Sequence, residues 1–151
     1  MQDNKIANLE YHKQYYQKNR EIIVKKKMNY KRERRKADPL YRLKDNIGSL
    51  IRQSLSKGGY SKKSRTHEIL GCTYEEYYQH IESQFTDGMS WERMSEIHID
   101  HRLPLAAANT EAELLALNHY RNLQPMWAVD NIAKSDSYCP KELAAYLAKY
   151  K

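Results

Sequence analysis

The chain predicts an α+β fold, mostly helical, with two short strands confined to its C-terminal half. Three observations lead there. Residues 4–36 are rich in helix formers and contain neither Gly nor Pro. Leu40, Leu43, Ile47, Leu50, Ile51 and Leu55 recur at steps of three and four, the apolar face of an amphipathic helix. Two stretches break that period: Ile97-His-Ile-Asp100 alternates β-branched with polar residues, and Tyr120–Trp127 has the length and pattern of a second strand.

Charge divides the chain more sharply than its net +7 implies. Residues 1–66 hold 19 Lys and Arg against 6 Asp and Glu, a net +13, whereas residues 67–151 hold 7 against 13, a net −6. A basic segment joined to a neutral or acidic unit points to a polyanion held by the first and chemistry done by the second. We therefore expect a basic helical DNA-binding region over 1–66 and a functional domain over 67–151. No apolar run is long enough to cross a bilayer, and the basic part is rich in Tyr rather than Leu or Phe, which disfavours a membrane surface. Met1-Gln-Asp-Asn-Lys5 has no apolar signal core, and Cys72 and Cys139 are too few and too separated for a disulfide framework. A cytoplasmic, reducing setting is the expectation.

In chain order, residues 4–36 read as one long exposed helix or two, whose most basic point is Lys31, Arg32, Arg34, Arg35 and Lys36. That run is either a solvated helix face or a face laid along phosphates. Asp38-Pro39 caps and opens the amphipathic helix, and Gly58-Gly59 stops it. The loop after it carries Lys62, Lys63 and Arg65, suited to phosphates or to a solubilising linker. Thr66 is expected to cap a short turn closed by Gly71. Thr73-Tyr-Glu-Glu76 is a capping box for a helix to about Phe85, and Trp91 is a core anchor. Strand 97–100 puts His98 and Asp100 on one face and Ile97 and Ile99 on the other. Thr110-Glu-Ala-Glu113 is a second capping box, residues 129–135 read as a short helix, and Pro140 opens the last one.

Asp beside His is a common start for a metal-plus-base site, because a carboxylate is a hard ligand and a neutral imidazole accepts a proton near neutral pH. Alone such a pair is more often an N-cap, a surface hydrogen bond or a satisfied core histidine. The larger ordered set is more specific: His98-Ile-Asp100-His101, Pro104-Leu105, Asn122-Leu-Gln-Pro125, then Asp130-Asn131-x-x-Lys134-Ser-Asp136. It resembles the HNH nucleases, also called His-Me or ββα-metal endonucleases, and Gly88-Met-Ser-Trp91 ahead of it is similar to a phage and bacterial group of them. The resemblance covers residues 67–136.

It implies a C-terminal ββα-metal core and hydrolysis of DNA phosphodiester bonds, by nicking or double-strand cleavage. His101 would be the general base, Asn122 the brace of its loop, and Asp100 and Asn131 the ligands of one divalent cation. Oxygen ligands favour Mg²⁺, with Mn²⁺ or another divalent ion as alternatives. His98 is an additional candidate for the site, and Arg102, Arg121 and Lys134 are candidate phosphate clamps. Structural zinc is not expected: the paired Cys-x-x-Cys motifs of many members are missing, and His98, His101, His119 and Cys139 fit no standard zinc spacing. Duplex DNA is the expected partner. A non-catalytic nucleic-acid-binding module on the same scaffold is the competing reading. Recognition sequence, monomer against homodimer, and a restriction, homing, packaging or defence role are not distinguished by these residues.

Overall fold

The computed structural model describes residues 2–150, with side chains from residue 8 onward. By packing the chain divides into two compact units, Met1–Arg42 and Leu43–Lys151.

In the first unit, α1 (Gln2–Ala37) is a single uninterrupted helix. Its Tyr11, Tyr15, Ile22, Met28 and Tyr30 are exposed, as the missing apolar stripe requires. It gives way at Asp38, whose Oδ1 accepts from the Tyr41 amide at 2.8 Å and so caps α2 (Pro39–Lys57). The Arg34 guanidinium lies 4.4 Å from the Tyr41 ring centroid.

The second unit begins within α2. Leu43, Ile47, Ile51 and Leu55 are each at most 2% exposed and pack with Ile69 and Leu70 of α3 (Thr66–Leu70) and Tyr77 and Ile81 of α4 (Tyr74–Glu82). Leu114 of α5 (Glu111–Leu117) and Leu123 of β2 (Leu123–Trp127) complete that core with Trp91. Burial of aliphatic side chains at roughly 1.5–3 kcal/mol each makes the α2 face a major source of stability. This is why the packing boundary falls at residue 42 and not at the change of charge near residue 66. Charge density reports solvation, whereas the unit boundary follows the apolar face.

Local expectations hold with small shifts. Thr73 caps α4 in a reciprocal box with Glu76, and the helix ends at Glu82, three residues early. The cap of α3 is Arg65, whose amide donates to Glu68 at 2.7 Å, so Thr66 is the first helical residue. Gly71 closes α3 at φ +73°, where a side chain would be strained and would also meet His119. Thr110 caps α5, but Glu113 reaches back to the Asn109 amide rather than to Thr110. Trp91 is 7% exposed, stacks on Tyr78 at 4.1 Å and donates to Glu82 at 2.8 Å.

β1 (Ile97–His101) pairs antiparallel with β2, with His98 opposite Met126, Ile99 opposite Pro125 and Asp100 opposite Gln124. Pro125 is tolerated because each strand of a two-stranded sheet has an open edge. α6 (Ala128–Lys134) follows β2 directly, and α7 (Pro140–Leu147) is tied back by Tyr146, which donates to the Ala116 carbonyl at 3.0 Å. No helix among the described residues is long and apolar enough to cross a membrane.

Candidate active site

Strand alternation builds the site. Ile97 is 3% exposed and Ile99 packs on the core, which turns His98 and Asp100 to the opposite side of β1. α6 lies against that side. Asn131 and Lys134, three apart, share one helical face and meet the strand in two rungs. Asn131 Nδ2 is 3.1 Å from His98 Nδ1, and Lys134 Nζ is 2.8 Å from Asp100 Oδ2. Gln124, directly across the ladder, donates to the same Asp100 oxygen at 3.0 Å. Lys134 Nζ also donates to the His101 carbonyl at 2.7 Å. Lys134, a candidate phosphate clamp by sequence, thus holds the Asp100 carboxylate and the end of the strand in this structure. No hydrogen bond joins Asp100 to Asn131, whereas Asp100 Oδ1 accepts nothing from the described residues.

His101 ends the strand on the inner side and is 8% exposed. Its Nε2 lies 3.4 Å from Oδ1 of Asn118, a fully buried residue at the end of α5. The surrounding network assigns the protons. Asn118 Nδ2 donates to the Leu114 carbonyl at 2.8 Å and to Ser54 Oγ at 3.0 Å, while Ser54 Oγ donates to the Ile51 carbonyl at 2.9 Å. Only Asn118 Oδ1 is then left to face the imidazole, so Nε2 carries the proton and Nδ1 keeps its lone pair. Burial pushes the His101 pKa down to about 4, against smaller upward pulls from Asn118 and Asp100. The ring is therefore neutral at pH 7, as a proton acceptor must be.

A consequence for stability follows. The unfolded ring takes a proton near pH 6.5 that the folded ring refuses until about pH 4. The His101 contribution is fully present above pH 6.5 and is lost as pH falls through that window, on the order of 3 kcal/mol in total. Urea unfolding in EDTA at steps from pH 7 to pH 4 measures it. The His101→Gln variant should show a correspondingly flatter profile, and equal slopes would contradict the burial of the ring.

Asn122 is 1% exposed and locks the segment leaving β1. Its Oδ1 accepts from the Leu103 amide at 2.9 Å, and its Nδ2 donates to the Leu103 and Leu117 carbonyls at 2.9 and 2.8 Å. Its own carbonyl accepts from Arg102 at 2.8 Å.

The remaining basic candidates belong to several different elements. Lys31, Arg32, Arg34, Arg35 and Lys36 fall in the last two turns of α1, where Arg32 and Lys36 flank Glu33 at 3.4 and 3.3 Å. Lys62 donates to the Ser64 carbonyl, Lys63 pairs with Glu111 at 3.5 Å, and Arg65 supplies the α3 cap. Exposed Arg102 bonds Gln84, and Arg121 bonds Tyr120. His119 serves a helix end: its Nδ1 accepts from the Arg121 amide at 3.3 Å and lies 3.1 Å from the Tyr150 hydroxyl. Among the described residues no three His, Cys, Asp or Glu side chains gather to hold a metal ion.

A cleft of about 580 Å³ opens beside Asp100, His101 and Lys134. Sequence reasoning passed over Ser54, Asn118 and Gln124, which hold the two central side chains. A polar residue inside an apolar helical face, as Ser54 is between Ile51 and Leu55, was the available signal.

No known family profile and no solved structure matches the chain. It is similar to two uncharacterized proteins of Acanthamoeba polyphaga mimivirus. One is 33% identical over 136 residues, 87% of this chain and 57% of the relative, and the other 30% identical over 124 residues, 78% and 52% respectively. The chain thus spans about half the length of the curated relatives it matches.

Proposed function

We propose that this chain is a metal-dependent endonuclease of the HNH type, hydrolysing DNA phosphodiester bonds with His101 as general base. The observation that carries the reading is the β1–β2–α6 succession. It sets Asp100, Asn131 and His98 on one side of the strand and a neutral, tautomer-fixed His101 at its end. The basic α1 and the Lys62–Arg65 loop supply cations for the DNA backbone.

The donor set suits a hard divalent cation, Mg²⁺ or Mn²⁺. Asp100 has an oxygen without a donor, Asn131 has an amide oxygen, and His98 stands beside them. Such an ion, when bound, supplies positive charge toward a phosphate oxygen and the leaving oxygen. The chain's own residues do the rest. His101 Nδ1 takes a proton from the attacking water as the water oxygen bonds to phosphorus. The bond from phosphorus to the 3′-oxygen breaks, leaving a 5′-phosphate and a 3′-oxyanion that takes a proton from solvent water to become the 3′-hydroxyl. Asn118 and Ser54 hold the ring so that the lone pair and not the proton meets the water. Asn122 keeps the strand exit in register beneath it.

Supercoiled plasmid incubated with the protein and Mg²⁺ should be relaxed, and EDTA should abolish the conversion. A competing reading draws on one contact: the Lys134 ammonium already neutralises Asp100. In a non-catalytic nucleic-acid-binding module that pair would be permanent. Retained DNA binding with no nicking in Mg²⁺ or Mn²⁺ would favour the module and reject the enzyme.

A further inference from the structure

We infer that the cleft beside His101 receives one unpaired nucleotide of the substrate strand, with Tyr60 as its stacking partner and Lys57 on its phosphate. The inference takes the polymer from the nuclease reading, but its test does not depend on cleavage.

The cleft lined by Asp100, His101 and Lys134 is lined also by Lys57, Gly58 and Tyr60, at the end of α2 and the turn after it. Residues of the segment from Pro104 to Thr110 line it as well, and Leu114 packs against the Gly58 turn. At about 580 Å³ it lies in the range of pockets that enclose small organic groups, roughly 300–1,000 Å³. A regular duplex keeps its base faces stacked inside and offers only groove edges and phosphates. Such a surface lies over a cleft without filling it. A base turned out of the stack presents an apolar face and a hydrogen-bonding edge, and enters pockets of this kind.

That turn is built to hold a ring in place. Gly59 turns the chain at φ +82°, and the Tyr60 amide donates to the Leu55 carbonyl at 2.8 Å. A Cβ on Gly58 would come within 2.8 Å of Leu114 and 3.2 Å of the Tyr60 ring, so glycine is what lets both close on the turn. Tyr60 packs on the core at the cleft side, yet it pairs with no other aromatic ring among the described residues. Lys57 is exposed and makes no ion pair among the described residues. Asn109, which also lines the cleft, uses its Nδ2 on Ala107 and Glu113, which leaves its Oδ1 for the edge of a base.

The test uses the full chain in EDTA, where strands stay intact. Three fluorescein-labelled probes are compared: a perfect duplex, the same duplex with one bulged 5-iodouracil, and the single strand. The bulged and single-stranded probes should bind about ten-fold more tightly than the perfect duplex, the size of one base-on-aromatic stacking contact. Irradiation should cross-link the iodouracil to Tyr60. Tyr60→Leu, which keeps the apolar packing, should erase the preference, and Tyr60→Trp should retain it. Equal affinity for the three wild-type probes overturns the inference, as does a wild-type cross-link mapping away from the cleft, and neither requires a variant to fold. Nicking in Mg²⁺ without any preference removes the nucleotide cleft and leaves the nuclease. A preference without nicking does the reverse.

Discussion

His101→Ala should lower strand cleavage by roughly 10²–10⁴-fold, the usual contribution of a positioned general base, and leave DNA affinity close to that of the wild type. The reason lies in how the ring is held. Burial keeps it neutral, and the Asn118–Ser54 chain spends its Nε2 proton internally. Nδ1 is then a lone pair with no protein donor among the described residues. Alanine removes that acceptor and touches none of the basic residues assigned to the phosphates. Single-turnover cleavage together with anisotropy binding in EDTA separates the two effects. Cleavage within a few-fold of wild type would assign the base elsewhere and remove the mechanism proposed for this strand end.

Asn122→Ala should destabilise the second unit by roughly 3–5 kcal/mol. Three short hydrogen bonds end on one amide that is 1% exposed. Alanine strands the Leu103 amide and the Leu103 and Leu117 carbonyls away from water, each at about 1–3 kcal/mol, with some relief by relaxation. Asn122→Asp is no rescue, since a carboxylate cannot donate to two carbonyls. Urea denaturation at pH 7 measures the loss, and a change under about 1 kcal/mol would contradict the role of Asn122 as the lock on the strand exit. Cleavage should fall with the native fraction, because the same amide sets the backbone that follows His101.

Several parts of this architecture were legible in the residues. Local rules located the helices and their caps because capping, turns and amphipathic period depend on neighbours a few positions away. Thr73 with Glu76, Asp38 before Pro39 and the Gly58-Gly59 stop are all of this kind. Alternation placed His98 and Asp100 together. The unit boundary was not legible, because charge composition changes near residue 66 while the apolar face of α2 commits residues from Leu43 onward to the core. Lys134 illustrates the same limit. Its position after Asn131 marks it as basic and close to the site, but its contact with Asp100 spans 34 residues of chain and depends on how α6 lands on β1.

What the sequence determined alone is the set of local elements and the identity of the chemically capable side chains: an acid and an imidazole at the end of a short strand, and amides further on. Tertiary structure decided which of them meet. It gave Asp100 to Lys134 and Gln124, gave Asn131 to His98, and turned His101 inward onto Asn118 and, through it, Ser54. The physical reason is range. Propensity and period act over a few residues, whereas the protonation state of a buried imidazole depends on desolvation and donors brought from α2 and α5, which no local pattern encodes.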